Sequence, residues 1–89
     1  MAEFRWNEWN VEHIARHGVR PDEAEEVVVD ARTPYPLERP DDKWLAWGPT
    51  RGGRILQVVF VLDPDFTIYV IHARTLTPRE KQRFRRRRR

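Results

Sequence analysis

Cysteine is absent from the 89 residues. The fold therefore uses no disulfide and no thiolate metal site, a composition compatible with a reducing cytosol. Long hydrophobic runs are absent as well. The longest strongly apolar stretch, Ile55 to Leu62, is interrupted by Gln57 and falls far short of the roughly 20 residues that span a bilayer. The opening Met1-Ala2-Glu3-Phe4-Arg5 lacks the apolar segment of a secretory signal. Internal repeats and linkers are missing too. From these absences we expect one soluble, cytoplasmic domain over residues 1–84, with no membrane partner, followed by an arginine tail at 85–89 that is mobile without a ligand. A chain this short buries only about 60% of the surface its unfolded form exposes, so a partner can add stability.

What is present is charge, unevenly distributed. Residues 1–42 carry five Arg and no Lys against eleven Asp and Glu, a net −6. Residues 43–84 carry seven basic and three acidic residues, a net +4, and Arg85 to Arg89 add five more positive charges. Such a dipolar chain draws a polyanion to one face and repels it from the other.

The pattern along the chain predicts an α+β fold. Phe4-Arg5-Trp6 alternates like a short strand. Asn7 is placed to cap a helix whose apolar stripe is Val11, Ile14 and Ala15, and Gly18 is placed to end it. Pro21 and the acidic Asp22, Glu23, Glu25 and Glu26 suit the start of a second helix, with Ala24, Val27 and Val28 on one face. Pro34, Pro36 and Pro40 confine residues 33–42 to a loop or edge strand. Strands follow at Lys43 to Gly48, Ile55 to Leu62 and Phe66 to Ala73, separated by turns at Pro49 to Gly53 and Asp63-Pro64-Asp65. Thr77, Pro78 and Glu80 form a capping box with proline in the first helical position, opening a last helix that should end near Phe84. The expected architecture is two layers, with two N-terminal helices and a C-terminal helix packed on an antiparallel sheet.

Several segments, in order, resemble one family. The stretch from Trp6 to Val19, ending His17-Gly18-Val19, resembles the opening of the BrnT toxins, and Glu23-Ala24 matches the pair that follows. Gly53-Arg54-Ile55-Leu56-Gln57-Val58-Val59 is similar to their central strand, and Ile71-His72-Ala73-Arg74, with Glu80-Lys81 after it, resembles their Ile-Ser-Ala-Arg and later Glu-Arg. The likeness spans residues 4 to 84. It implies a RelE-like fold and the toxin role of a type II toxin–antitoxin pair. It further implies metal-independent cleavage of RNA and neutralisation by a small DNA-binding antitoxin resembling BrnA. The chain departs from the pattern at Asp41-Asp42-Lys43-Trp44, where the family carries Glu-x-Arg or Glu-Arg, at His72 for Ser, at Lys81 for Arg and at Phe84 for a common Tyr.

A metal-independent ribonuclease needs a base for the 2′-hydroxyl, an acid for the leaving oxygen and cations for the charged phosphorane. Arg74, at a strand end, can grip a phosphate with its fork, or form an ion pair with a carboxylate of one of the first two helices. His72, two residues earlier, shares its strand face and is a candidate acid or base. Alternation also places Phe66, Ile68 and Val70 on that face and Tyr69 on the other, so the alternative for His72 is a partly buried structural role. Glu80 is a candidate base that already has a capping duty. Lys43, Arg54, Arg79 and Lys81 are candidate RNA contacts, or ordinary exposed cations. Trp44 and Trp47 point to opposite faces, so one is a candidate for an RNA or antitoxin surface. His13 and His17 lie four apart on a helix without a third ligand at a recognised spacing, so no metal and no cofactor are expected. The rival readings are a non-catalytic RNA- or ribosome-binding module, and a protein-interaction domain that docks an acidic partner on its basic face.

Overall fold

The computed structural model describes residues 2–87. Its elements run α1 (Glu8–Ala15), α2 (Pro21–Val29), β1 (Leu37–Arg39), β2 (Lys43–Pro49), β3 (Ile55–Leu62), β4 (Ile68–Thr75) and α3 (Pro78–Arg87). Each helix starts where its side chains can satisfy orphan backbone donors. At α1 the cap is reciprocal: Asn10 N donates to Asn7 Oδ1 at 3.1 Å, and Asn7 N donates to Asn10 Oδ1 at 2.8 Å. Gly18 follows the helix at φ +71°, a left-handed position that suits a residue without Cβ. At α2 the Arg20 N–H donates to Glu23 Oε1 at 3.1 Å. At α3 Thr77 and Glu80 close the expected capping box, Glu80 N to Thr77 Oγ1 at 3.2 Å and Thr77 N to Glu80 Oε1 at 2.9 Å.

Instead of ending near Phe84, α3 continues through Arg85 to Arg87. Arginine is a good helix former, and cations near a helix C-terminus are favoured by its dipole. Arg88 and Arg89 lie outside the described residues, and so does that part of the arginine run.

The sheet is antiparallel, in the order β1-β2-β3-β4. The proline-rich segment supplies β1 as an edge strand, so there are four strands rather than the three of the predicted meander. Phe4, expected in a strand of its own, makes one parallel bridge to Ile68. Asn10 is fully buried and ties α1 to the N-terminal segment and to β4, its Nδ2 donating to the carbonyls of Arg5 and Val70, both at 3.1 Å.

Register divides the strands between two faces. Ala46, Val58 and Ala73 align across the sheet, as do Gly48, Leu56 and Thr75. This face meets Ile14 of α1, Val19 of the connection, and Ala24 and Val27 of α2 in one buried cluster. Ile14, Leu56, Val58 and Val70 are completely buried there, each contributing roughly 1.5–3 kcal/mol of burial. The other face carries Trp47, Gln57 and Arg74 in one row, Leu45, Val59 and His72 in the next, and Lys43, Val61 and Tyr69 in the third. The buried cluster of α1 and α2 lies on the opposite side, and α1 touches this face only at the β4 edge, through Trp9 against Tyr69. Phe84 of α3 packs over one corner, its ring 6.1 Å from Tyr35, which in turn stacks on Trp47 at 6.0 Å.

The register between β3 and β4 slips between Val59 and Phe60: Val59 faces His72, but Phe60 faces Val70. Ile71 is the extra residue of a β-bulge, and it reverses the alternation. Simple alternation puts Ile68 and Val70 beside His72 and Arg74; the bulge sends both to the helix-covered core and brings Tyr69 to the open face with His72 and Arg74.

Candidate functional site

Across the open face, three strands each contribute one polar-tipped side chain to a continuous hydrogen-bonded row. The indole N–H of Trp47 donates to Gln57 Oε1 at 3.0 Å, and Arg74 Nη2 approaches the same oxygen at 3.4 Å. Arg74 then forks onto Glu80 at the start of α3, Nη1 to Oε1 at 2.7 Å and Nη2 to Oε2 at 2.9 Å, and Nη1 also donates to the Thr75 carbonyl at 3.1 Å. Arg74 retains 29% side-chain exposure and Glu80 19%. The predicted ion pair of Arg74 thus exists, with a carboxylate of the third helix rather than of the first two.

The electrostatic consequence is large for Glu80. The Arg74 hydrogen bond, seconded by the Thr77 backbone N–H, holds its carboxyl down at about 2. A carboxylate this acidic is a weak base near neutral pH. The same contact raises the Arg74 pKa further above its already high value.

His72 lies two residues from Arg74 on this face and is half-buried. Burial lowers its pKa first, and the neighbouring His17, Arg74 and His13 lower it further, all of which favours the neutral imidazole. His17 comes from the turn just after α1 and sets its ring edge-on to that of His72, with centroids 5.6 Å apart and planes at 65°. Beyond it, His13 stacks on Trp9 at 4.7 Å, Trp9 on Tyr69 at 6.3 Å, and the Arg5 guanidinium sits 3.9 Å over Tyr69.

Arg74, His72 and Glu80, predicted as one site, therefore do converge. Arg79 and Lys81 flank Glu80 in the first turns of α3, Arg79 exposed and Lys81 half-buried. Lys43 is exposed on the same sheet face but four residues from Trp47 along β2, about 13 Å away. Arg54 is turned elsewhere. Its Nη1 binds the buried Glu23 carboxylate at 3.0 and 3.1 Å and the Gly18 carbonyl at 2.9 Å, so it joins β3 to the helix layer. Trp47 points to the open face and Trp44 to the covered one. Sequence reasoning missed His17, Gln57 and Tyr69 as members of this face. Gln57, a polar break in the most apolar strand, was the available signal. Among the described residues no group of three or more His, Cys, Asp or Glu side chains is arranged to hold a metal, and no helix is long and apolar enough to cross a membrane.

No family model matches this chain, and no curated protein matches it in sequence. Among solved structures it is similar to the ribonuclease toxin BrnT of Brucella abortus, with a TM-score of 0.69 and 24% identity, over 86% of this chain and 99% of that one. The two share a fold along nearly the whole of the Brucella protein.

Proposed function

We propose that the chain is the toxin of a type II toxin–antitoxin pair, a metal-independent endoribonuclease that binds RNA on the open face of its sheet. The reading starts from its shared fold with a ribonuclease toxin. The observation that carries it is the row Trp47–Gln57–Arg74–Glu80 with His72 alongside, a cationic fork and an imidazole held together on the sheet face opposite α1 and α2, buried at Trp47 beside α3 and half-exposed from Gln57 to Glu80 and at His72. Arg74 meets the scissile phosphate. Glu80 stays a carboxylate and holds the fork in place, so proton transfer falls to His72. Lys43, Arg79 and Lys81 hold the flanking backbone, and an antitoxin resembling BrnA covers the face when the toxin is neutralised, in the cytoplasm.

The test is inducible expression in a bacterium beside purified protein acting on labelled RNA in excess chelator. The expected result is growth arrest with RNA decay, chelator-resistant cleavage in vitro, and loss of both in Arg74→Ala. Harmless expression with intact RNA would sink the proposal. One feature favours a second reading, an RNA- or ribosome-binding module without cleavage: the Arg74 guanidinium already serves Glu80, Gln57 and Thr75. Binding that weakens steeply with salt while RNA stays intact would select that reading.

A further inference from the structure

We propose that His17 and His72 are a general acid–base pair set about one RNA phosphodiester, with His72 as base, His17 as acid and Arg74 beside them on the phosphate. The proposal rests on the endoribonuclease reading above and adds to it a residue, on a different element, that completes the proton inventory.

Two groups must handle protons in this cleavage, one at the 2′-oxygen and one at the 5′-oxygen. The open face offers few candidates. Glu80, at about 2, is ionised and tied in both directions. What remains near Arg74 is the pair of imidazoles whose centroids are 5.6 Å apart. That spacing lets each ring come within hydrogen-bonding reach of a different oxygen of the same phosphodiester. The roles follow from environment. His72 is half-buried, with His17 and His13 facing it from the α1 side and the Arg74 guanidinium on its own strand, surroundings that favour the neutral ring able to accept a proton. His17 is exposed and open to proton exchange with water.

The position of His17 is built rather than incidental. Its backbone N–H donates to the Ile14 carbonyl at 3.1 Å, and that of Gly18 donates to Ala15 at 2.9 Å. Arg54, just before β3, grips the Gly18 carbonyl through Nη1 at 2.9 Å. A cation committed to the structural layer thus positions the turn that presents His17, and Arg54 acts as a positioning residue.

The reaction balances without water or metal. The 2′-hydroxyl proton passes to the His72 imidazole, and the 2′-oxygen bonds to phosphorus. The bond from phosphorus to the 5′-oxygen breaks with its electron pair on oxygen, which takes a proton from the His17 imidazolium. The products are a 2′,3′-cyclic phosphate and a 5′-hydroxyl. Exchange with solvent restores both rings.

The experiment compares an ordinary oligoribonucleotide with one whose scissile 5′-oxygen is replaced by sulfur, a leaving group that departs as thiolate without protonation. For the full chain in chelator, His17→Ala should lose on the order of 10²–10⁴-fold on the oxygen substrate but less than about tenfold on the sulfur one, and should lose the alkaline limb of the pH–rate profile. His72→Ala should lose comparably on both substrates. His17→Gln, which keeps hydrogen bonding without a transferable proton, should behave like His17→Ala, with circular dichroism and melting unchanged in both. Full activity of His17→Ala on the oxygen substrate, or an equal loss on both, would overturn the pair while leaving the nuclease reading standing. A wild-type chain that cuts neither substrate would overturn both.

Discussion

On the sheet face that α1 and α2 cover, the buried polar side chains Asn10 and Glu23 spend their hydrogen bonds on the fold. Asn10 ties α1 to β4, and Glu23 receives Arg54 from just before β3 and the Arg20 N–H at the start of α2. On the open face Gln57, Arg74 and Glu80 are half-buried and hydrogen-bonded in a row, yet still reach solvent. The chemistry of the two sets is similar, with a carboxylate, a guanidinium and an amide in each. Their difference lies in what happens when one member is removed. A charge left alone under the helices has no water to turn to, whereas one left alone on the open face does.

The sharpest break between the faces is a substitution on each side. Arg54→Ala strands the Glu23 carboxylate, 6% exposed, without its cation, and should cost about 3 kcal/mol of stability in urea or thermal unfolding. Arg74→Ala, whose partner keeps 19% exposure, should cost only about 1 kcal/mol while abolishing RNA cleavage. Equal destabilisation by the two would mean that the open face is as structural as the covered one. An Arg54→Ala chain of unchanged stability with a large loss of RNA affinity would return Arg54 to the RNA-contact role expected from sequence.

How legible this was depended on whether the cue was local. The caps at Asn7 and Thr77, the Pro21 start and the turn at Asp63 to Asp65 act within a few residues, and each element they predicted is present. The bulge at Ile71 has no such cue. It contains neither glycine nor proline, and it arises where the β3–β4 register must accommodate both the core residues Val70 and Ala73 and the open-face residue His72. Without it, His72 reads as a neighbour of Ile68 and Val70 and hence as structural. His17 illustrates the same point. Along the chain it pairs with His13 at helical spacing; in space its ring partner is 55 residues away. Glu80 was recognisable as a capping residue, and its second bond, to Arg74, becomes visible only once β4 and α3 are docked. The end of α3 is hard to read for another reason: adjacent arginines repel one another but are also good helix formers, and the helix runs to Arg87.

The smallest predicted effect concerns the seam between the open face and α3. Glu80 titrates at about 2 when docked against Arg74, below its ordinary value of 4.5. In the unfolded chain it takes up a proton first as the pH falls, so its contribution to stability is complete above about 4.5 and is lost progressively as the pH falls towards 2. The pair is partly exposed, so this contribution is at most about 1 kcal/mol. Asp63 and Asp22 are likewise held below the ordinary carboxylate value, by hydrogen bonds from Arg5 and Arg20, and only a difference isolates Glu80. Glu80→Gln retains an acceptor for the Thr77 N–H but cannot titrate. The stability gap between wild type and this variant should be constant from pH 7 to about 5 and close as the pH approaches 2, with the indole N–H resonance of Trp47 reporting whether the row it anchors persists. A gap that stays constant across the acid range would mean that α3 is held by Phe84 and by Arg83 over the Trp47 ring, and that the guanidinium fork on the open face owes nothing of its position to the Glu80 carboxylate.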